Sequence, residues 1–317
     1  EEYINENFGP MVAGSAQFEG EYWAVPTAVR SLAFMYNIDM LEAAGFDGPP
    51  TNFDELVEMA QALTIYDGDP AIENITQEGF APQFSGQWHH WFREVVFRQF
   101  DGGEPYSEDN REVLWGSDAG CEAFEFMMQF ETELLTGSND LFTDSDDAFV
   151  NGQSAMHIDG SFRLGTIANN NPDLNFGVAE LPVGPNGEQH TYGSYWTHGV
   201  TRRAAEDPAR LDATVRFLEF VTSPEAGSLW VEQVGELPAQ NEAVNDPALL
   251  EDPVLGPFVA GLPYSHATFF VDETQQRQHL IDANDLVRLS GLEPCDALLE
   301  VAALEQDLLD EFWEDRE

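Results

Sequence analysis

Residues Asp147 to Val200 read DAFVNGQSAMHIDGSFRLGTIANNNPDLNFGVAELPVGPNGEQHTYGSYWTHGV, and the order of turns, strands and loops within them decides the fold. A short helical piece ends in a turn at Asn151-Gly152, and the alternating run Ser154 to Ile158 predicts a strand feeding the loop Asp159-Gly160-Ser161. Ser161 is placed to cap a following helix, Phe162 to Asn169, so side chains and free backbone donors meet where strand gives way to helix. A second strand, Phe176 to Leu181, closes on Pro182, and a Gly/Pro/Asn loop leads to the glycine-aromatic cluster Gly193-Ser194-Tyr195-Trp196. Strand ends that carry rings and backbone donors suit a ligand with flat apolar faces and many hydroxyls.

Outward from that stretch, strand and helix signals alternate, which predicts an α/β protein. Residues 1 to 20 read as loop-rich and end in a turn at Glu19-Gly20-Glu21, before the run Tyr22 to Asn37. Thr51 is expected to cap a helix carrying Phe53, Leu56, Val57, Ala60 and Leu63 at helical spacing, and residues 67 to 79 form a surface loop. Gly86 to Glu94 sets two tryptophans, Trp88 and Trp91, three apart on one helix face, with His90 and Glu94 close by; the alternative is that they fill a core. Helices are predicted over Ala119 to Glu133 and Asp144 to Val150, and Gly199 to Thr201 reads as a strand. Asp207-Pro208 and Ser223-Pro224-Glu225 open two further helices, the second stopped by Gly235. Leu298, Val301, Leu304, Leu308 and Phe312 give the C-terminal helix its apolar stripe.

The chain has 59 Asp and Glu against 12 basic residues, every one an arginine, for a formal net charge of −47. At low salt such a surface repels itself, whereas in molar salt, where the Debye length falls to about 3 Å, the repulsion is screened and the carboxylates hold water. The acids are spread along predicted helices and not gathered in a tail, so the composition points to life in brine; a nucleic-acid partner is excluded by charge. No apolar run reaches the length needed to span a membrane. Cys121 and Cys295 match no metal spacing and are expected as small buried residues, with a disulfide between them left open.

The wording of several segments resembles the family 1 extracellular solute-binding proteins, the sugar-binding components of ABC importers related to maltodextrin-binding protein. The segments are Phe149-Val-Asn-Gly-Gln-Ser-Ala-Met156 with Asp159-Gly-Ser-Phe162, then Phe176-Gly-Val-Ala-Glu-Leu-Pro182, and Gly193-Ser-Tyr-Trp196. Tyr22-Trp-Ala-Val-Pro26 running on to Asn37-Ile-Asp-Met-Leu-Glu-Ala-Ala-Gly45 is the strongest single match, and Pro50 to Leu56, Phe217 to Ala226 and Gly235 to Pro238 add to it. The resemblance, from Glu19 to Trp313, implies a two-lobed, type II periplasmic-binding-protein-like fold. Residues 1–28 with 186–250 would form lobe 1, residues 29–185 lobe 2, and residues 251–317 a C-terminal helical segment packed mainly on lobe 2. The family's opening βαβ portion has no counterpart here, so lobe 1 is expected to be incomplete; the abrupt start at Glu1 fits a chain whose beginning was removed.

The resemblance also implies a function: capture of a sugar or related polyol in an interlobe cleft at the cell surface, and delivery to an ABC transporter permease. A monomer is expected, meeting the membrane only through an anchor outside this chain. Ligand contacts are assigned to Arg30, Gln87, Trp88, His90, Trp91, Asp159, Phe162, Ser194 and Trp196, with rings stacking on the sugar and polar groups sorting its hydroxyls. Arg30, at the lobe crossover, could instead take an anionic or phosphorylated sugar, or pair with a nearby acid. The remaining alternative is a secreted carbohydrate-active enzyme. HExxH, CxxC and GxSxG are all missing, and neither a cofactor nor a metal is implied.

Overall fold

The computed structural model describes residues 1–18, 20–82, 88–138, 141–142 and 145–316, with the side chains of residues 10, 15, 88 and 145 outside that description. Its axis is β1, Val25–Asn37, thirteen residues rich in β-branched and aromatic side chains. The other strands of its sheet are β2 (Met156–Gly160), β3 (Phe176–Ala179), β4 (Thr191–His198), β5 (Leu237–Pro238) and β6 (Ser265–His266). All but β6 pair antiparallel with β1, and they do so in two groups. β4 and β5 hold its first half, from Val25 to Ser31, whereas β2 and β3 hold its second, from Leu32 to Asn37. The strand therefore changes partners between Ser31 and Leu32.

Alternation along β1 divides its side chains between two cores, because successive residues of a strand point to opposite faces. Leu32 and Phe34 enter the larger core with Phe53, Leu56, Phe80, Phe92, Phe124, Leu280 and Leu298. Val29, Ala33 and Met35 enter the smaller one with Ile4, Phe8, Val12, Phe149, Ile167, Leu237 and Phe258. Phe149, Val150, Ile167 and Val178 share the smaller core with Ile4 and Phe8. Residues 1–20 are less loop-like than their sequence suggests: Glu2–Asn7 and Pro10–Ser15 are short helices, and they carry Ile4 and Val12 into that core.

The principal helices are α1 (Phe53–Leu63), α2 (Asp118–Thr132), α3 (Arg163–Asn170), α4 (Pro208–Val221), α5 (Pro224–Val234), α6 (Glu273–Ser290) and α7 (Pro294–Glu314). Asp207 and Ser223 cap α4 and α5 as their sequence predicts, and Gly235 ends α5 at φ 76°, a left-handed turn that glycine accepts without strain. α1 is capped by Asn52 and not by Thr51, whose hydroxyl instead holds Glu55. Gly199 to Thr201 is not a strand; the strand is β4, which ends at His198 and already contains Gly193 to Trp196. Cys121 on α2 and Cys295 on α7 form a disulfide across 174 residues, tying the C-terminal helices to the larger core. In α7 the buried stripe is Leu298, Val301, Ala302, Glu305 and Leu309, while Leu304 is 47% exposed. The stripe is rotated because Glu305 turns inward to meet Arg93. Among the described residues no helix is long and apolar enough to cross a membrane.

Candidate functional site

The face of β1 that supplies Leu32 and Phe34 to the larger core also carries Arg30, one step before the strand changes partners. Arg30 pairs with Ser194 on β4, so Ser194 and its same-face neighbours Tyr192 and Trp196 line up beside it. Tyr192 belongs to the larger core, Ser194 is half-buried, and Trp196 is 53% exposed. One continuous face thus runs from sealed interior to open surface, and Arg30 stands where it opens.

Three other elements converge on that guanidinium. Glu236, at 3% exposure, follows the glycine that ends α5; Arg30 Nε donates to its Oε2 at 2.6 Å and Nη2 donates to its Oε1. Phe162, at the N-cap of α3, places its ring centroid 4.7 Å from the Arg30 Cζ, and Trp196 places its own at 4.9 Å. A cation over two rings gains roughly 0.5–1 kcal/mol from each in a partly wet setting. The ring of Phe162 lies so close to Gly160 that a Cβ there would sit 2.2 Å from Cε1, which is why a glycine precedes Ser161-Phe162.

Behind this group lies a second one that holds it. Asp159, fully buried, accepts from the Gly160 amide at 2.7 Å and from Arg163, which also pairs with Asp146. His157 Nε2 lies 3.0 Å from Asp146 Oδ1 and 3.6 Å from Asp159 Oδ2. Burial opposes a charge on His157, but hydrogen bonds and attraction from the two carboxylates outweigh it and push the imidazole up to about 9. Two carboxylates, an imidazolium and a guanidinium sum to no net charge. Asp146, His157 and Asp159 offer ligand atoms within 4.8 Å of one another, yet a cation entering there would have to displace Arg163 from both carboxylates. The cluster fixes the β2–α3 junction, and with it Phe162.

Of the residues that sequence reasoning put at the ligand, Arg30, Phe162, Ser194 and Trp196 stand together. Asp159 stands behind them, its carboxylate engaged by Arg163 and by the backbone, so it does not face a ligand. Ser161 is not the cap of α3, which begins after Phe162 without a side-chain cap. Trp91 is 2% exposed and packs edge-on against Phe80, 5.8 Å between centroids, inside the larger core. His90 is 4% exposed, stacks at 3.6 Å and 6° on Tyr192, and is held well below the usual histidine range by burial and by nearby Arg93. Trp91 opens a π-helical turn, Trp91–Val96, whose six residues are all buried, so Trp91 is core whichever face it takes. Gln87 and the side chain of Trp88 lie outside the described residues. Glu236 was missed: it is 206 residues from Arg30, and its only local signal is an acid between the helix-stopping Gly235 and the strand Leu237-Pro238.

A family model described as bacterial extracellular solute-binding protein matches residues 3–257. The chain belongs to the bacterial extracellular solute-binding proteins. It is 25% identical over 273 residues to the maltotriose-binding protein of Pyrococcus abyssi, covering 84% of this chain and 55% of that protein. It is 21% identical over 245 residues to the maltodextrin-binding protein of Bacillus subtilis, covering 75% and 55% respectively. This solute-binding chain therefore spans little more than half the length of either curated relative. Maltose-bound MalE3 of T. maritima superposes with a TM-score of 0.78 at 21% identity, over 97% of this chain and 78% of that one, which establishes the two-lobed α/β fold. The family is one of binding proteins.

Proposed function

We propose that this solute-binding protein captures a sugar or related polyol between its lobes, outside the cell, and presents it to the permease of an ABC importer. The observation that carries this is the group at the partner change of β1, where Arg30, Glu236, Phe162, Ser194 and Trp196 combine two partly exposed rings with donors and acceptors held in place. Rings stack on the apolar faces of a pyranose, while fixed polar groups sort its hydroxyls, since a buried group left unmatched costs about 1–3 kcal/mol. Relatives named for maltotriose and maltodextrin binding support a sugar over other solutes. β1 changes partners between Ser31 and Leu32, so rotation about that point would close one lobe on the other around the ligand.

The Cys121–Cys295 bridge fits an oxidising compartment such as the outer face of the cytoplasmic membrane. The charge of −47 fits a medium of multimolar salt, and we read the protein as a monomer there. The test is a calorimetric screen of mono- and oligosaccharides in multimolar KCl. At least one sugar binds with a saturable heat; an absence of both heat and thermal shift from every sugar in the panel overturns the proposal.

A further inference from the structure

We infer that the site selects uncharged sugars over acidic ones, and that Glu236 is the residue that sets this choice. The inference rests on the sugar-binding reading above and concerns the charge of the ligand. Arg30 is a cation at the mouth of the larger core, and alone it would favour a carboxylate or a phosphate, either of which a guanidinium binds through two parallel hydrogen bonds. It is not alone. Glu236 takes Nε and Nη2, one of the two edges through which a guanidinium grips an anion, and leaves Nη1 without a protein hydrogen bond among the described residues.

An acidic ligand would either split this pair and leave Glu236, 3% exposed, as a buried charge with no partner, or take the remaining Nη1 edge and set a second negative group against a guanidinium whose charge Glu236 already cancels. A hydroxyl meets no such obstacle, because it can accept from Nη1 and donate to a free lone pair of the carboxylate without disturbing either. Phe162 and Trp196 hold the guanidinium in this orientation. The overall charge of −47 acts in the same direction on any anion approaching the cleft.

The test compares maltotriose with maltotriose oxidised at C6 of its terminal ring to the uronic acid, by calorimetry on the full chain in KCl sufficient to keep it folded by far-UV circular dichroism. The wild type binds the neutral trisaccharide at least about tenfold more tightly, and Glu236→Gln, which leaves Arg30 uncompensated, narrows or inverts that ratio by about tenfold or more. If Glu236→Gln does not fold, Arg30→Gln carries the test from the other side: the carboxylate then stands alone, and the ratio widens by a similar factor. Equal affinities in the wild type, or a ratio unmoved in the folded variant, overturn the inference and leave the sugar-binding reading intact. If the wild type binds neither these two sugars nor any member of the wider panel, the sugar-binding reading itself falls.

Discussion

Two arginine–glutamate pairs in this protein are made of the same groups and do different work. Arg93 and Glu305 are both fully buried, 2.8 Å apart, and Glu305 also accepts from Tyr106, from Gln276 at 3.3 Å and from His279 at 3.0 Å. Burial alone would raise the Glu305 carboxyl, but the charge of Arg93 and these donors hold it below the usual carboxylate range. Arg30 and Glu236 share one face with the open surface: the arginine side chain is 23% exposed and stacks on Phe162 and Trp196, with a free edge. Full burial and the several donors on Glu305 make the first pair a fastener between Trp91–Val96 and α7, whereas the open edge of Arg30 leaves the second pair accessible to a ligand. What separates them is the number of partners each ion has and whether water can reach it.

The contrast breaks most readily at the buried pair. Glu305→Ala strands Arg93 in the core and costs about 3–5 kcal/mol, read as a lower urea midpoint at unchanged slope. A loss under about 1 kcal/mol would mean that the fastener is not what joins α7 to the core. Removing the covalent tie between α2 and α7, by Cys121→Ser with Cys295→Ser, costs about 2–4 kcal/mol through the entropy of the unfolded chain. Equal midpoints for the reduced and oxidised wild type would contradict that.

The cluster behind Phe162 adds a pH signature that neither pair has. His157 is raised from 6.5 to about 9, so its contribution to stability is complete below pH 6.5 and is lost as the pH rises through about 9. Glu78, pushed up to about 7 by burial, titrates below that window. Between pH 7.5 and 9.5 the Tm therefore falls by about 5 °C, and His157→Gln, whose starting Tm is lower, flattens the slope. Smallest of all is the effect at the cleft: Glu236→Gln costs under about 2 kcal/mol, because Arg30 keeps both rings and access to water. A cost as large as that of Glu305→Ala would show that the two pairs do not differ.

Much of the fold was readable in the residues because local rules suffice for it. Asp207-Pro208 and Ser223-Pro224 start their helices, and Gly235 stops its own, through backbone chemistry that needs no distant partner. The Asn151-Gly152 turn before β2 is of the same kind, with Gly152 at φ 70°. The site was readable only in part. Arg30, Phe162 and Trp196 announce themselves as a rare cation and rings beside glycine, but Trp91 carries the same local signals and is core. No local rule separates the two cases, because the whole Trp91–Val96 turn is buried by tertiary packing, Trp91 against Phe80 among it. Asp159 and Glu236 exchanged roles for a similar reason. Each acid is assigned by the arginine that reaches it, four residues away in one case and 206 in the other.

The most direct measurement is the affinity of the Phe162→Ala/Trp196→Ala double variant, by titration calorimetry, for whichever sugar binds the wild type most tightly. Loss of both rings lowers that affinity by about tenfold or more, with far-UV circular dichroism unchanged, since neither ring is sealed in a core. A folded double variant that binds within about threefold of the wild type would place the sugar elsewhere.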